Sequence, residues 1–139
     1  MATFNKFNCF VQDVGRKVHN LNADTLKIAL TNSAPSAVNT VLADISQISA
    51  GNGYSSGGTA IGSTAYSQSS GIAALTGGNV TFTASSGSMN TFRYAVIYNS
   101  TASGGPLIAW VDYGSSITLA IGESLVVDLT TNTNILTLT

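Results

Sequence analysis

From Thr25 onward the hydrophobic pattern runs at a period of two, in short bursts. Leu26, Ile28 and Leu30 alternate with Lys27 and Ala29, and Asn32 to Pro35 then supplies turn chemistry. Side chains of a strand point alternately to its two faces, so each burst buries one face and leaves the other. The pattern returns at Val80, Phe82 and Ala84, at Phe92 to Tyr98, and at Leu107 to Tyr113 after the Ser103-Gly-Gly-Pro106 loop. It recurs at Ile117 and Leu119, at Leu125 to Leu129, and at Ile135 to Leu138. About eight or nine short strands separated by turns leave few architectures open, and an all-β antiparallel sandwich or barrel is the expected class.

Only the beginning of the chain has a different period. Phe4, Phe7, Phe10, Val11, Val14, Val18 and Leu21 follow one another at three or four residues, save for the adjacent Phe10 and Val11. At about 100° per residue they form one stripe, with Lys6, Cys9, Asp13, Arg16 and Lys17 on the other side. This spacing predicts an amphipathic helix, with residues 1–21 as a helical arm and residues 25–139 as the β body of a single domain. Gly15 weakens such a helix by about 1 kcal/mol relative to alanine. Val41 to Ile48 suits either a helical turn or an extended path, and the reading stays open there. The Gly/Ser/Thr-rich tract from Gly51 to Gly78 reads as one or two weak strands with mobile loops. No fixed-period repeat is present.

Charge is scarce. The 139 residues include five basic and six acidic side chains, 8% in all, against 35 serines and threonines. Ordinary soluble domains carry about 25% charged residues, so hydroxyls, amides and backbone must solvate this surface. A net charge of -1 argues against a nucleic-acid partner, which a broad basic field would attract. Four of the five bases, Lys6, Arg16, Lys17 and Lys27, nevertheless fall in the first 27 positions. Either they solvate a helix face, or Lys6, Arg16 and Lys17 contact an acidic neighbouring subunit. No apolar run is long enough to span a bilayer, and synthesis in the cytoplasm with no membrane partner is expected.

Candidate chemistry is thin. One cysteine, Cys9, permits no intrachain disulfide, and one histidine, His19, permits no closed transition-metal site within the chain. No cofactor motif is present, so neither metal nor cofactor is expected. Gly53-Tyr54-Ser55-Ser56-Gly57 fits the G-x-S-x-G form of a nucleophile elbow, but Gly57-Gly58-Thr59 follows where a helix should begin. His19 also precedes the serine. Asp24 reads as turn or cap chemistry and Glu123 as part of a Gly122-Glu123 turn. Trp110, Tyr94, Tyr98 and Tyr113 raise the possibility of a sugar-stacking platform, although Trp110 and Tyr113 should point to opposite faces and Tyr94 and Tyr98 look like core. No enzymatic activity is expected.

Four strings carry a resemblance: Phe4-Asn-Lys-Phe-Asn-Cys-Phe-Val-Gln-Asp-Val-Gly15, His19-Asn-Leu-Asn-Ala-Asp-Thr-Leu-Lys-Ile-Ala-Leu-Thr-Asn32, Phe92-Arg-Tyr-Ala-Val-Ile-Tyr-Asn99 and Leu107-Ile-Ala-Trp-Val-Asp-Tyr-Gly-Ser-Ser116. In their order and spacing the chain resembles small structural proteins of tailed bacteriophages, with head decoration or cement proteins as the first choice. That resemblance implies a jelly-roll-like β domain on the capsid surface of the virion. It also implies the major capsid protein as partner and self-association, with a homotrimer expected. A tail-tip or fibre-associated module that binds a host glycan through loops 51–58 and 100–106 is the alternative.

Overall fold

The computed structural model describes residues 3–130 and 134–139. Its elements run β1 (Thr3–Lys6), α1 (Asn8–Gly15), β2 (Leu26–Thr31), a 3-10 turn at Leu42–Asp44, β3 (Thr59–Ala60), β4 (Ala65–Ser69) and β5 (Ile72–Thr76). They continue with β6 (Val80–Thr83), β7 (Phe92–Asn99), β8 (Leu107–Ile117), β9 (Ser124–Val127) and β10 (Leu136–Leu138). Strands pair antiparallel throughout, in a five-stranded sheet ordered β1-β8-β7-β2-β3, a three-stranded sheet ordered β10-β5-β4 and a β6-β9 ribbon. The class is all-β with one α-helix among the described residues, and the sheets do not close on one another.

The alternation in β2 shows how the sequence places the core. Leu26, Ile28 and Leu30 are fully buried and face Phe82, Leu75, Val80 and Val127 of the smaller sheets. Ala29, on the opposite face, joins Phe7, Ile45, Val96, Tyr98 and Leu107 in a second cluster. Both faces of the central strands are therefore covered. Strands buried on both faces read as near-continuous apolar runs, and β7 from Tyr94 to Tyr98 is such a run.

The N-terminal segment departs from expectation. The predicted helix over residues 4–21 is confined to Asn8–Gly15, and the residues before it form an edge strand on β8, with Thr3 opposite Asp112 and Lys6 opposite Ala109. The long β8 has a backbone edge to satisfy there, and that tertiary demand outweighs a helical apolar spacing. Past Gly15 the chain turns: Lys17 has φ 65° and donates to the Val14 carbonyl. Phe7 and Phe10 are fully buried, so this segment belongs to the body that was expected to start at residue 25.

The ambiguous stretch after Val41 resolves into the 3-10 turn followed by extended chain. There Asp44 accepts hydrogen bonds from the Thr40 and Val41 amides, which hold its carboxyl below the usual carboxylate range. Loop 51–58 is tied down rather than free. Gln47 Oε1 accepts from the Tyr54 hydroxyl at 2.7 Å and from the Gly57 amide at 2.7 Å, while the Tyr54 oxygen accepts from the Leu30 amide at 3.1 Å. Burial pushes the Tyr54 phenol up to about 12, keeping it a donor. Gln47→Leu should lower unfolding free energy by about 2–3 kcal/mol, because two partly buried donors lose their acceptor. Urea unfolding checks this, and an unchanged midpoint would show the loop is held by other means.

The β4-β5 connection is the simplest local structure. Ser69 pairs with Ile72 across Ser70 and Gly71, whose φ values of 52° and 83° are both positive. Two positive φ values in a two-residue loop match the hairpin turn whose twist suits the flanking strands.

Candidate functional site

The three basic residues read from the sequence as contacts are all exposed. Lys6 ends β1, whereas Arg16 and Lys17 follow α1. An eight-residue helix is about 12 Å long, so it sets Lys6 apart from the Arg16-Lys17 pair along one segment. None of the three forms an ion pair with a described residue. Among the described residues the ion pair is Arg93 with Asp112, a two-pronged contact at 2.8 and 3.1 Å. The Arg93 guanidinium, followed by the Gly114 amide, holds the Asp112 carboxyl below its ordinary value.

Cys9 sits at half-burial with its sulfur 3.5 to 3.7 Å from the carbonyls of Leu107, Asn39 and Thr40. Burial, and next the charge of Asp13, push the thiol up. It is a packed thiol and a poor nucleophile at neutral pH.

Ser55 of the G-x-S-x-G string lies exposed in loop 51–58, beside the buried Tyr54, and strand β3 follows instead of a helix. That is not the strand-to-helix turn of a nucleophile elbow. Among the described residues no group of three or more His, Cys, Asp or Glu side chains could hold a metal ion. No described helix is long and apolar enough to cross a membrane.

The aromatic residues separate by depth. Trp110 is opposite Val96 in the β7-β8 pairing and stacks at a tilt on Phe7, with ring centroids 4.6 Å apart. It shares the outer side of the sheet with Tyr94 and Tyr98, which are buried. Tyr113 packs against the inner cluster, where burial and then Asp128 push its phenol up to about 12. Loops 51–58 and 100–106 meet at Tyr98: its hydroxyl donates to the Gly57 carbonyl at 2.6 Å, and a Cβ on Gly105 would stand 3.2 Å from its ring. A recess of about 320 Å³ lies elsewhere, between Phe4 and Val111 on one sheet and Leu129 and Ile135 toward the C-terminal end.

The strongest polar constellation was not anticipated. Asn99, wholly buried at the end of β7, donates from Nδ2 to His19 Nδ1 at 3.0 Å and to Asp24 Oδ2 at 2.7 Å. Its Oδ1 accepts from the Thr101 and Ala102 amides at 2.9 and 3.1 Å. Asp24 Oδ2 also accepts from the Asn20 amide. His19 is buried beside the Phe10 ring. An asparagine closing an apolar strand before Ser-Thr-Ala-Ser-Gly-Gly is a recognisable start for a side-chain-capped turn, but nothing local names His19 as its partner. Comparison with protein-family models, curated proteins and solved structures found no match.

Proposed function

We propose that this chain is a structural subunit of a tailed-phage particle, binding and stabilising the capsid shell as a decoration or cement protein, with its sheets arranged as a jelly-roll-like sandwich. The observation that supports this most is the character of the surface: three exposed cations without partners among the described residues, on a charge-poor, hydroxyl-rich β body. A cation with no intramolecular partner is available to an acidic patch on a neighbour. Hydroxyls and amides make adaptable hydrogen bonds at an interface without the desolvation cost of ions. Repeated over many copies on a shell, modest contacts add through multivalency. The major capsid protein is the proposed partner, with self-association as a trimer, at the outer surface of the virion.

The test is the triple variant Lys6→Glu, Arg16→Glu, Lys17→Glu on shells lacking the protein. Occupancy should fall at least tenfold, with unchanged circular dichroism, and wild-type binding should weaken as salt rises. Normal occupancy of the variant would remove the basic contacts. Particles without the protein should release genome at lower temperature, and equal stability with and without it would sink the cement reading.

A second reading, a tail-associated module for a host glycan, draws on the meeting of loops 51–58 and 100–106 at Tyr98. Antibody labelling of intact particles separates the two: many copies over the head support cement, a few at the tail support adhesion.

A further inference from the structure

Asn99 has no freedom to turn its amide over. Both lone pairs of Oδ1 are occupied by the Thr101 and Ala102 amides, and Nδ2 must donate to the Asp24 carboxylate. The nitrogen facing His19 is therefore a donor, and His19 Nδ1 must present a bare lone pair to it. The ring proton of neutral His19 is thereby fixed on Nε2, which is buried and has no hydrogen-bond partner among the described residues. A second proton can go only to Nδ1, against the Asn99 N–H, where it destroys the bond that orients the ring.

We propose that His19 is the acid-labile pin of a latch, neutral when it holds the segment between α1 and β2 onto the β7-β8 connection, and releasing that segment when protonated. The latch closes through Asn99 and is reinforced by neighbouring bonds: Ser100 N and Oγ both donate to the Thr25 carbonyl at 2.9 Å, and the Thr25 amide donates to Thr101 Oγ1 at 2.8 Å. Protonation removes the His19 bond first and loosens the Asn99 side chain that the others surround.

The groups facing the imidazole from each packed element set the direction. Burial beside Phe10 disfavours the cation; Asp13 of α1 and Asp24 before β2 favour it; β7 contributes the uncharged Asn99. Burial prevails, and His19 lies below its ordinary value of 6.5. The unfolded chain thus takes up the proton at higher pH than the folded one. The latch's contribution is intact above about pH 6.5 and is lost as pH falls through the folded value.

His19 is the only histidine in the chain, so nitrogen-detected NMR of the intact protein reads it without ambiguity. At neutral pH the Nε2–H form should dominate, and the ring should titrate below 6.5. Hydrogen-exchange protection at Thr101 and Ala102, corrected for intrinsic rates, should disappear in step with the imidazolium fraction, whereas protection in β7 persists. His19→Gln, whose amide oxygen can accept from Asn99 without titrating, should keep that protection across the same range. An Nδ1–H form, a midpoint at or above 6.5, or protection indifferent to His19 protonation would each overturn the proposal. The wild-type measurements decide it even if the variant does not fold.

Discussion

Gly58→Ala is expected to lower the melting temperature by roughly 10 °C, through a destabilisation of about 3 kcal/mol or more. Gly58 has φ +76°, in the left-handed region, and a Cβ there would overlap the Ile28 carbonyl oxygen and stand 2.9 Å from the Ala29 Cα. Those atoms belong to β2, which is covered on both faces and cannot move aside. Gly71→Ala supplies the comparison. Gly71 has a similar φ of +83° but no atom of the described residues within 4 Å of its Cβ position, so only the backbone penalty of about 1–2 kcal/mol applies. Calorimetry on the two variants separates the clash from the dihedral. Equal melting temperatures would mean that loop 51–58 yields to the added methyl.

The second large effect concerns α1. Phe10→Ala should lower unfolding free energy by about 3–5 kcal/mol, the usual range for emptying a buried phenylalanine site. Phe10 is fully buried beside His19, whereas Val11, the next residue, is 55% exposed. Val11→Ala should therefore stay within about 0.5 kcal/mol of wild type. Denaturant titration of both variants checks the contrast. If Phe10→Ala were as mild as Val11→Ala, the N-terminal segment would be a detachable arm after all. The contrast also explains why point charge reversals test docking better than a deletion of residues 1–20, which would remove Phe7, Phe10 and an edge strand together.

These two sites mark where sequence reading succeeds and where it stops. Strands whose alternation reports a buried face were legible: Leu26 to Leu30, Val80 to Ala84 and Phe92 to Tyr98 all fall in or next to strands. Thr3–Lys6 was not, because Phe4 and Phe7 keep a helical spacing and the edge that recruits them lies more than a hundred residues away. Leu107 to Leu119 read as two strands and is largely one, since Gly114 and its serines lie in a register shift of the β7-β8 pairing, beyond which Ile117 again pairs with Phe92. The pinned loop 51–58 was hidden because its anchors are single polar atoms of Gln47 and Tyr54, which leave no periodic trace. Lys6, Arg16 and Lys17 could be located as exposed charges from sequence alone. The His19-Asn99-Asp24 constellation could not, because it joins a turn to a strand end far along the chain and depends on the fold being complete.

The pairing of β1 with β8 bears on how the chain reaches this structure. The β4-β5 and β7-β8 pairs join neighbouring stretches and can form early, but Thr3 meets Asp112 only after the loop between them has closed. Non-local pairings of this kind slow folding, since loop entropy is lost before any contact compensates. During synthesis Phe7 and Phe10 emerge well before β8 and stay uncovered until that strand has left the ribosome. The residues that make the N-terminal segment inseparable from the finished body are, for that interval, its most aggregation-prone surface.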